Sequence, residues 1–129
     1  MRNVVRRTLV SLLTTASLGI VGGCGGSPPS VDTSHTEATV KGVVKVDGVP
    51  ATEGDIVFDA ANYKRKDVAA RSAPIGKDGT YTIKTLTGAN QVRLGGALAH
   101  KKPILQREMR EVNVASGENT YDFEVKSDQ

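Results

Sequence analysis

The chain is poor in the residues on which most chemistry depends. It has one cysteine, Cys24, two histidines and no tryptophan in 129 residues. A lone cysteine excludes an internal disulfide, so a stable fold must rest on burial and hydrogen bonding. His35 and His100 alone leave no ligand set of the kind a zinc centre needs. The aromatics are Phe58, Tyr63, Tyr81, Tyr121 and Phe123, and all but Tyr63 fall at inward positions of predicted strands. Little is left for an aromatic binding platform. The N-terminal apolar stretch, residues 8–21, includes Thr14, Thr15 and Ser17 and falls short of the roughly twenty residues that span a bilayer. Charge of one sign is lacking as well. The net charge of +3 comes from Arg2, Arg6 and Arg7, and beyond Cys24 the 14 remaining basic residues meet 14 acids. That balance removes the electrostatic case for nucleic acid or anionic lipid as a partner.

What is present begins with an address. MRNVVRR, the apolar stretch and the sequence Val21-Gly22-Gly23-Cys24 together read as an export signal. The last four residues resemble a bacterial lipobox: an aliphatic residue, two small residues and a cysteine that is acylated and becomes the first mature residue. Val21 stands where leucine is usual. The alternative is a free cysteine beside an ordinary cleavage site. Arg6-Arg7 followed by Leu9 and Val10 also resembles a twin-arginine signal, but Val5 replaces the usual polar residue, which keeps Sec export ahead. The expected divisions are a signal peptide at 1–23, a Gly/Ser/Pro-rich flexible tether at 24–37, a domain at 38–126 and a tail at 127–129.

Within the domain the pattern is alternation. Val40, Gly42, Val44 and Val46 share one face of a strand, and Gly42 inside it predicts a bulge or the close approach of another backbone. Asp47-Gly48-Val49-Pro50 is turn chemistry. Further strands are expected over 54–60, 68–75, 80–86, 91–98, 109–115 and 120–126, with Ile56, Phe58, Tyr81, Ile83, Val92, Leu94, Val112, Val114, Tyr121, Phe123 and Val125 inward. Lys77-Asp78-Gly79 is read as closing a hairpin. No sustained helical period appears after Cys24. Short strands at such spacing predict an all-β, seven-stranded antiparallel β-sandwich.

The string VKGVVKVDGVPATEGDIVF, then IGKDGTYTI, then a glycine turn and QVRL, resembles the carboxypeptidase regulatory-like and transthyretin-like domains. The residues that carry the resemblance include Gly42, Gly48, Pro50, Asp78, Gly79 and Tyr81. It implies a prealbumin-like, Greek-key sandwich and specifies fold rather than activity. Each matched residue also has a sufficient structural role in a turn or in the core.

Catalytic constellations are missing from the pattern. Hydroxyisourate hydrolases of the transthyretin-like superfamily need a shared site of histidines and arginine with a C-terminal Tyr-Arg-Gly-Ser, whereas this chain ends FEVKSDQ. Lys41 or Lys45 with Asn119 are conceivable isopeptide partners, but both lysines fall on the predicted wet face. The acids lack calcium-loop spacing. Lys64-Arg65-Lys66, flanked by Asp59 and Asp67, reads as a solvated loop. The expectation is therefore a protein that is not an enzyme and takes no cofactor or metal. It is read as exported and membrane-attached through lipid on Cys24, an envelope module with an envelope protein or a glycan as partner and no nucleic acid. Carbohydrate binding, with Tyr63 as its exposed aromatic, is the alternative. Loops 60–70 and 99–108 are the expected contact sites because of their length.

Overall fold

The computed structural model describes residues 31–127. The predicted signal peptide, with Val21, Gly22 and Gly23, lies outside the described residues, as do Cys24, residues 25–30 of the tether and residues 128–129.

The described chain forms a two-sheet β-sandwich. The first sheet is built around β1 (Glu37–Val46). On one side β1 pairs antiparallel with β5 (Thr80–Leu86) and, through a tight turn, with β2 (Val49–Pro50). On the other it pairs in parallel with β8 (Gly117–Thr120) and β9 (Phe123–Val125). The second sheet contains β3 (Asp55–Asp59), β4 (Arg71–Pro74), β6 (Gly88–Gly95) and β7 (Met109–Val114), ordered β4–β3–β6–β7 and antiparallel throughout.

Period-two alternation gives each strand one apolar face, and those faces meet between the sheets. Val40, Val44, Ile56, Phe58, Val92 and Phe123 are fully enclosed. Val112 and Tyr121, also expected inside, are half-buried against this core. The rings of Phe58 and Tyr81 lie 6.1 Å apart and those of Tyr121 and Phe123 6.3 Å apart, tilted in both pairs as aromatic quadrupoles favour.

Several local expectations are corrected. The strand read through Leu98 stops at Gly95, and the chain continues as a six-residue helix, α1 (Gly96–Lys101), and a 3-10 helix at Pro103–Arg107. An element of under two turns shows too little of the 3.6-residue period to be seen in sequence. Its purpose is packing, since Leu98, Ala99 and Leu105 are buried. The expected contact loop 99–108 is thus partly a cap on the core.

The Lys77–Gly79 turn forms, but not as a hairpin. β4 pairs with β3 and β5 with β1, so the turn carries the chain between sheets. The ladder of β4 ends at Pro74, and Ile75 N–H donates instead to the carbonyl of Gly54 at 2.9 Å. The expected strand at 68–75 is accordingly confined to Arg71–Pro74. The final strand is divided into β8 and β9 at Tyr121–Asp122, and its neighbour is β1 rather than β7.

Lys41 and Lys45 lie on the central strand of the first sheet, away from its edges. Arginines of the second sheet guard the edges instead. The bonds Val44 N–H to Gly79 O and Thr87 N–H to Thr36 O fix the parity of β1 and β5, and that parity turns the Lys84 carbonyl toward open solvent. Arg71 Nη1 reaches over from β4 to donate to it at 3.2 Å. On the opposite edge the Glu124 carbonyl points outward, and Arg110 Nη2 of β7 donates to it at 2.7 Å with its guanidinium 5.4 Å from the Phe123 ring centre. Blocking outward carbonyls is one way to keep an exposed edge from pairing with another chain.

Candidate functional site

The family-motif residues gather along β1, where each serves the backbone. Asp47 and Gly48 have φ of 55° and 80°, the left-handed pair that a two-residue hairpin turn requires. Gly79, at φ 83°, accepts from Val44 N–H through its carbonyl oxygen at 2.8 Å and lies so close to Pro50 and the Val44 carbonyl that a side chain would collide with both. Asp78 accepts from Thr80 Oγ1 at 2.6 Å and from Thr80 N–H at 3.1 Å. Those two bonds hold its carboxyl below the ordinary value of 3.8.

Gly42 explains itself through Tyr121. A Cβ at Gly42 would fall far inside van der Waals contact distance of the Tyr121 carbonyl oxygen. The expected close approach of another backbone is therefore the break between β8 and β9 at Tyr121–Asp122. Tyr81, the cross-strand partner of Gly42, lays its ring over the gap and donates from its hydroxyl to that same carbonyl at 2.6 Å. Burial pushes the Tyr81 phenol well above its ordinary range, with Tyr121 and Asp122 adding to the effect. Asp122 caps Val43 N–H at 2.8 Å, and Tyr121 N–H donates to Lys41 O at 2.8 Å. Gly42 with Tyr81 and Gly79 with Pro50 thus sit at close backbone approaches, while Gly48 and Asp78 shape turns.

A second constellation lies at the end of the sandwich where β1 starts. Residues 31–36, expected as part of the free tether, have no regular secondary structure but are fastened to the domain. Asn62 Nδ2 donates to Asp32 O at 2.9 Å, Arg65 Nη1 to Ser34 O at 2.7 Å, and Thr87 N–H to Thr36 O at 3.0 Å. Arg65 Nη1 also donates to Thr87 O at 3.1 Å. Behind it, Asn90 is fully buried, with Nδ2 donating to Leu86 O and Gly88 O and Oδ1 accepting from Thr85 Oγ1. His35 is exposed.

Arg65 corrects the reading of the basic string as a solvated loop. Only 3% of it is exposed, while Lys64 and Lys66 face solvent as expected. The turn that does this is made by Asn62, whose Oδ1 accepts from Lys64 N–H at 2.9 Å and Arg65 N–H at 3.0 Å. Arg65 Nε and Nη2 are buried without an acceptor among the described residues, so carbonyls compensate the cation at one of its two ends. An Asn three residues before the arginine was the available sequence signal, and the flanking acids concealed it. Tyr63 is 52% exposed, with Lys64 Nζ 5.8 Å from its ring centre.

The remaining expected chemistry is dispersed. His100 is exposed on α1, whose Lys101 pairs with Glu53 at 2.7 Å. Lys41 pairs with Glu118 at 3.1 Å, and Asn119 turns to the backbone of Ala115. The isopeptide partners are therefore not brought together. No group of three or more His, Cys, Asp or Glu that could hold a metal occurs among the described residues. A groove of about 370 Å³ runs beside the fastened segment, lined by His35, Glu37, Val68, Ala70, Arg71 and Leu86. Its charged members Glu37 and Arg71 are paired at 2.7 Å.

No protein-family model matches the chain, and no curated protein does. Its fold is similar to those of two solved proteins of the DUF3823 family. One, from Parabacteroides merdae, is 18% identical over 70% of this chain and 46% of its own length, with a TM-score of 0.53. The other, from Bacteroides ovatus, is 18% identical over 69% and 44%, with a TM-score of 0.52. The chain therefore spans less than half the length of either structure. At this identity the likeness is one of all-β fold.

Proposed function

We propose that the protein is a non-catalytic, lipid-anchored module of the cell envelope, a carboxypeptidase regulatory-like, transthyretin-like sandwich that offers its surface to a partner. The observation that carries the reading is the employment of its polar motif. Asp78 and Tyr81 are bonded into a turn and across strands, so the residues that define the family pattern are occupied in holding the fold. The anchor reading rests on Val21-Gly22-Gly23-Cys24, with acylation at Cys24 after export.

The test is fractionation of cells expressing the full chain or Cys24→Ala. The native chain is expected in the membrane fraction with a mass increased by the acyl group, and the variant in the soluble fraction. Undiminished membrane retention of the variant would sink the anchor. A second reading, glycan binding, is favoured by the exposure of Tyr63 beside Lys64. Glycan-array binding that disappears in Tyr63→Ala would support it.

A further inference from the structure

Among the described residues the first one bonded to the domain is Asp32, and the surroundings of that point are specific. Asn62 holds the carbonyl of Asp32 at 2.9 Å, and the residue after Asn62 is the exposed Tyr63. Within the next three residues the loop sorts its cations. Arg65 turns inward and grips Ser34 and Thr87, while Lys64 and Lys66 turn outward beside the tyrosine. One loop therefore fixes the exit of the N-terminal segment and presents an aromatic residue and two ammonium groups at the same place.

We infer that the face formed by Tyr63, Lys64 and Lys66 is the surface with which the domain rests on the bilayer that anchors it. This rests on the proposed acylation of Cys24. From Cys24 to Val31 are seven residue steps, which span at most about 25 Å in any conformation. Were residues 31–36 free, the spacer would reach roughly 45 Å and leave the domain's orientation open. The bonds from Asn62, Arg65 and Thr87 remove that freedom. β1 then runs away from the exit for ten residues, about 33 Å, so the β1–β2 turn with Val49 lies at the far end.

The chemistry of the near face suits headgroups. A tyrosine ring settles at an apolar–polar boundary with its hydroxyl in the wet layer, and lysine ammonium groups meet lipid phosphates. Asp67 beside Lys66 and Asp59, whose carboxylate accepts from Ala61 N–H, leave the loop only a small positive surplus. A small surplus is enough. The neutral chain has no long-range steering toward a membrane, and the short spacer supplies by proximity what charge does not.

The absence of tryptophan makes the test direct. Tyr63→Trp and Val49→Trp, at two exposed positions of opposite ends, each give the full acylated chain a single reporter. The proteins are reconstituted into phosphatidylcholine vesicles, with and without phosphatidylglycerol, carrying a nitroxide on the headgroup. Quenching is expected to be severalfold stronger for Tyr63→Trp than for Val49→Trp. It should fall toward the Val49→Trp level when Lys64→Glu and Lys66→Glu are added. Equal quenching at the two positions in vesicle-bound, acylated protein would overturn the surface while leaving the anchor in place. Fluorescence of Tyr63→Trp that responds to soluble oligosaccharide but not to vesicles would overturn it in favour of a glycan. An unmodified Cys24 would remove anchor and surface together.

Discussion

The two ends of the sandwich are held by different kinds of bond. At the end where β1 starts, Arg65, Thr85, Thr87 and Asn90 are buried, and their partners are main-chain carbonyls, one another or, for the Thr87 hydroxyl, the Asp32 carboxylate. At the other end the fastenings are exposed. Asp47 accepts from Ser127 N–H and Oγ and lies 3.6 Å from Lys102, and Lys101 meets Glu53. Removing one partner of a buried polar bond strands the other without water, whereas a broken surface pair is resolvated. The near end should therefore be costly to alter and the far end cheap. Specific placement of residues 31–36 is being maintained by the expensive kind of interaction.

The comparison can be broken from the middle. Gly42→Val places side-chain atoms where the Tyr121 carbonyl stands, separating β1 from the backbone that joins β8 to β9 and with it both ends. A loss above about 4 kcal/mol is expected, seen as an unfolded chain by circular dichroism. Next comes the near end itself. Arg65→Ala leaves Ser34 and Thr87 carbonyls without this donor, and a loss of about 2–3 kcal/mol is expected in urea titration, accompanied by protease cleavage near residues 31–36.

Tyr81→Phe tests the bridge over Gly42. Deleting its hydroxyl bond to Tyr121 should cost about 1 kcal/mol at neutral pH. Because its folded-state value is raised, the native phenol contributes stability that is fully present below the ordinary tyrosine value of 10.0 and is lost as pH rises through the higher folded value. The melting temperature of the native chain should therefore drop above pH 10, and that component of the drop should be missing in Tyr81→Phe.

The smallest effect belongs to the far end. The Asp47 carboxyl is held low first by the Ser127 hydroxyl, then by its N–H, so its contribution is present above 3.8 and disappears as pH falls through the lower folded value. Asp47→Asn should leave neutral-pH melting almost unchanged and flatten the acid dependence. A large neutral-pH loss would erase the distinction between the ends.

How much of this was legible depends on the range of the cause. Alternation in β1, β3, β5 and β6 is local, and it places Val40, Ile56, Ile83 and Val92 correctly. Gly42 was legible as an oddity in a strand, although the oxygen that excludes its side chain belongs to Tyr121. Pairing between β1 and β9 was not legible, because nothing near Val44 specifies Phe123 as its neighbour. Arg65 was misread for a related reason. Its immediate neighbours are those of a wet loop, and the carbonyls that enclose it come from Ser34 and Thr87. Sequence position predicts solvent exposure poorly when a cation's partners are main-chain groups, which every residue type carries.

The parallel union of β1 with β8 and β9 also determines when the domain can close. Asp47 and Ser127 are hydrogen-bonded across 80 positions, and one whole side of β1 waits for residues 117–125. A chain delivered amino end first holds its central strand half-paired throughout, since neither β5 nor anything in the second sheet occupies that side. Contacts of such separation close slowly, because the loop entropy must be met before they form. Until residues 117–125 emerge, one edge of β1 stays open and the first sheet lacks the strands that complete it.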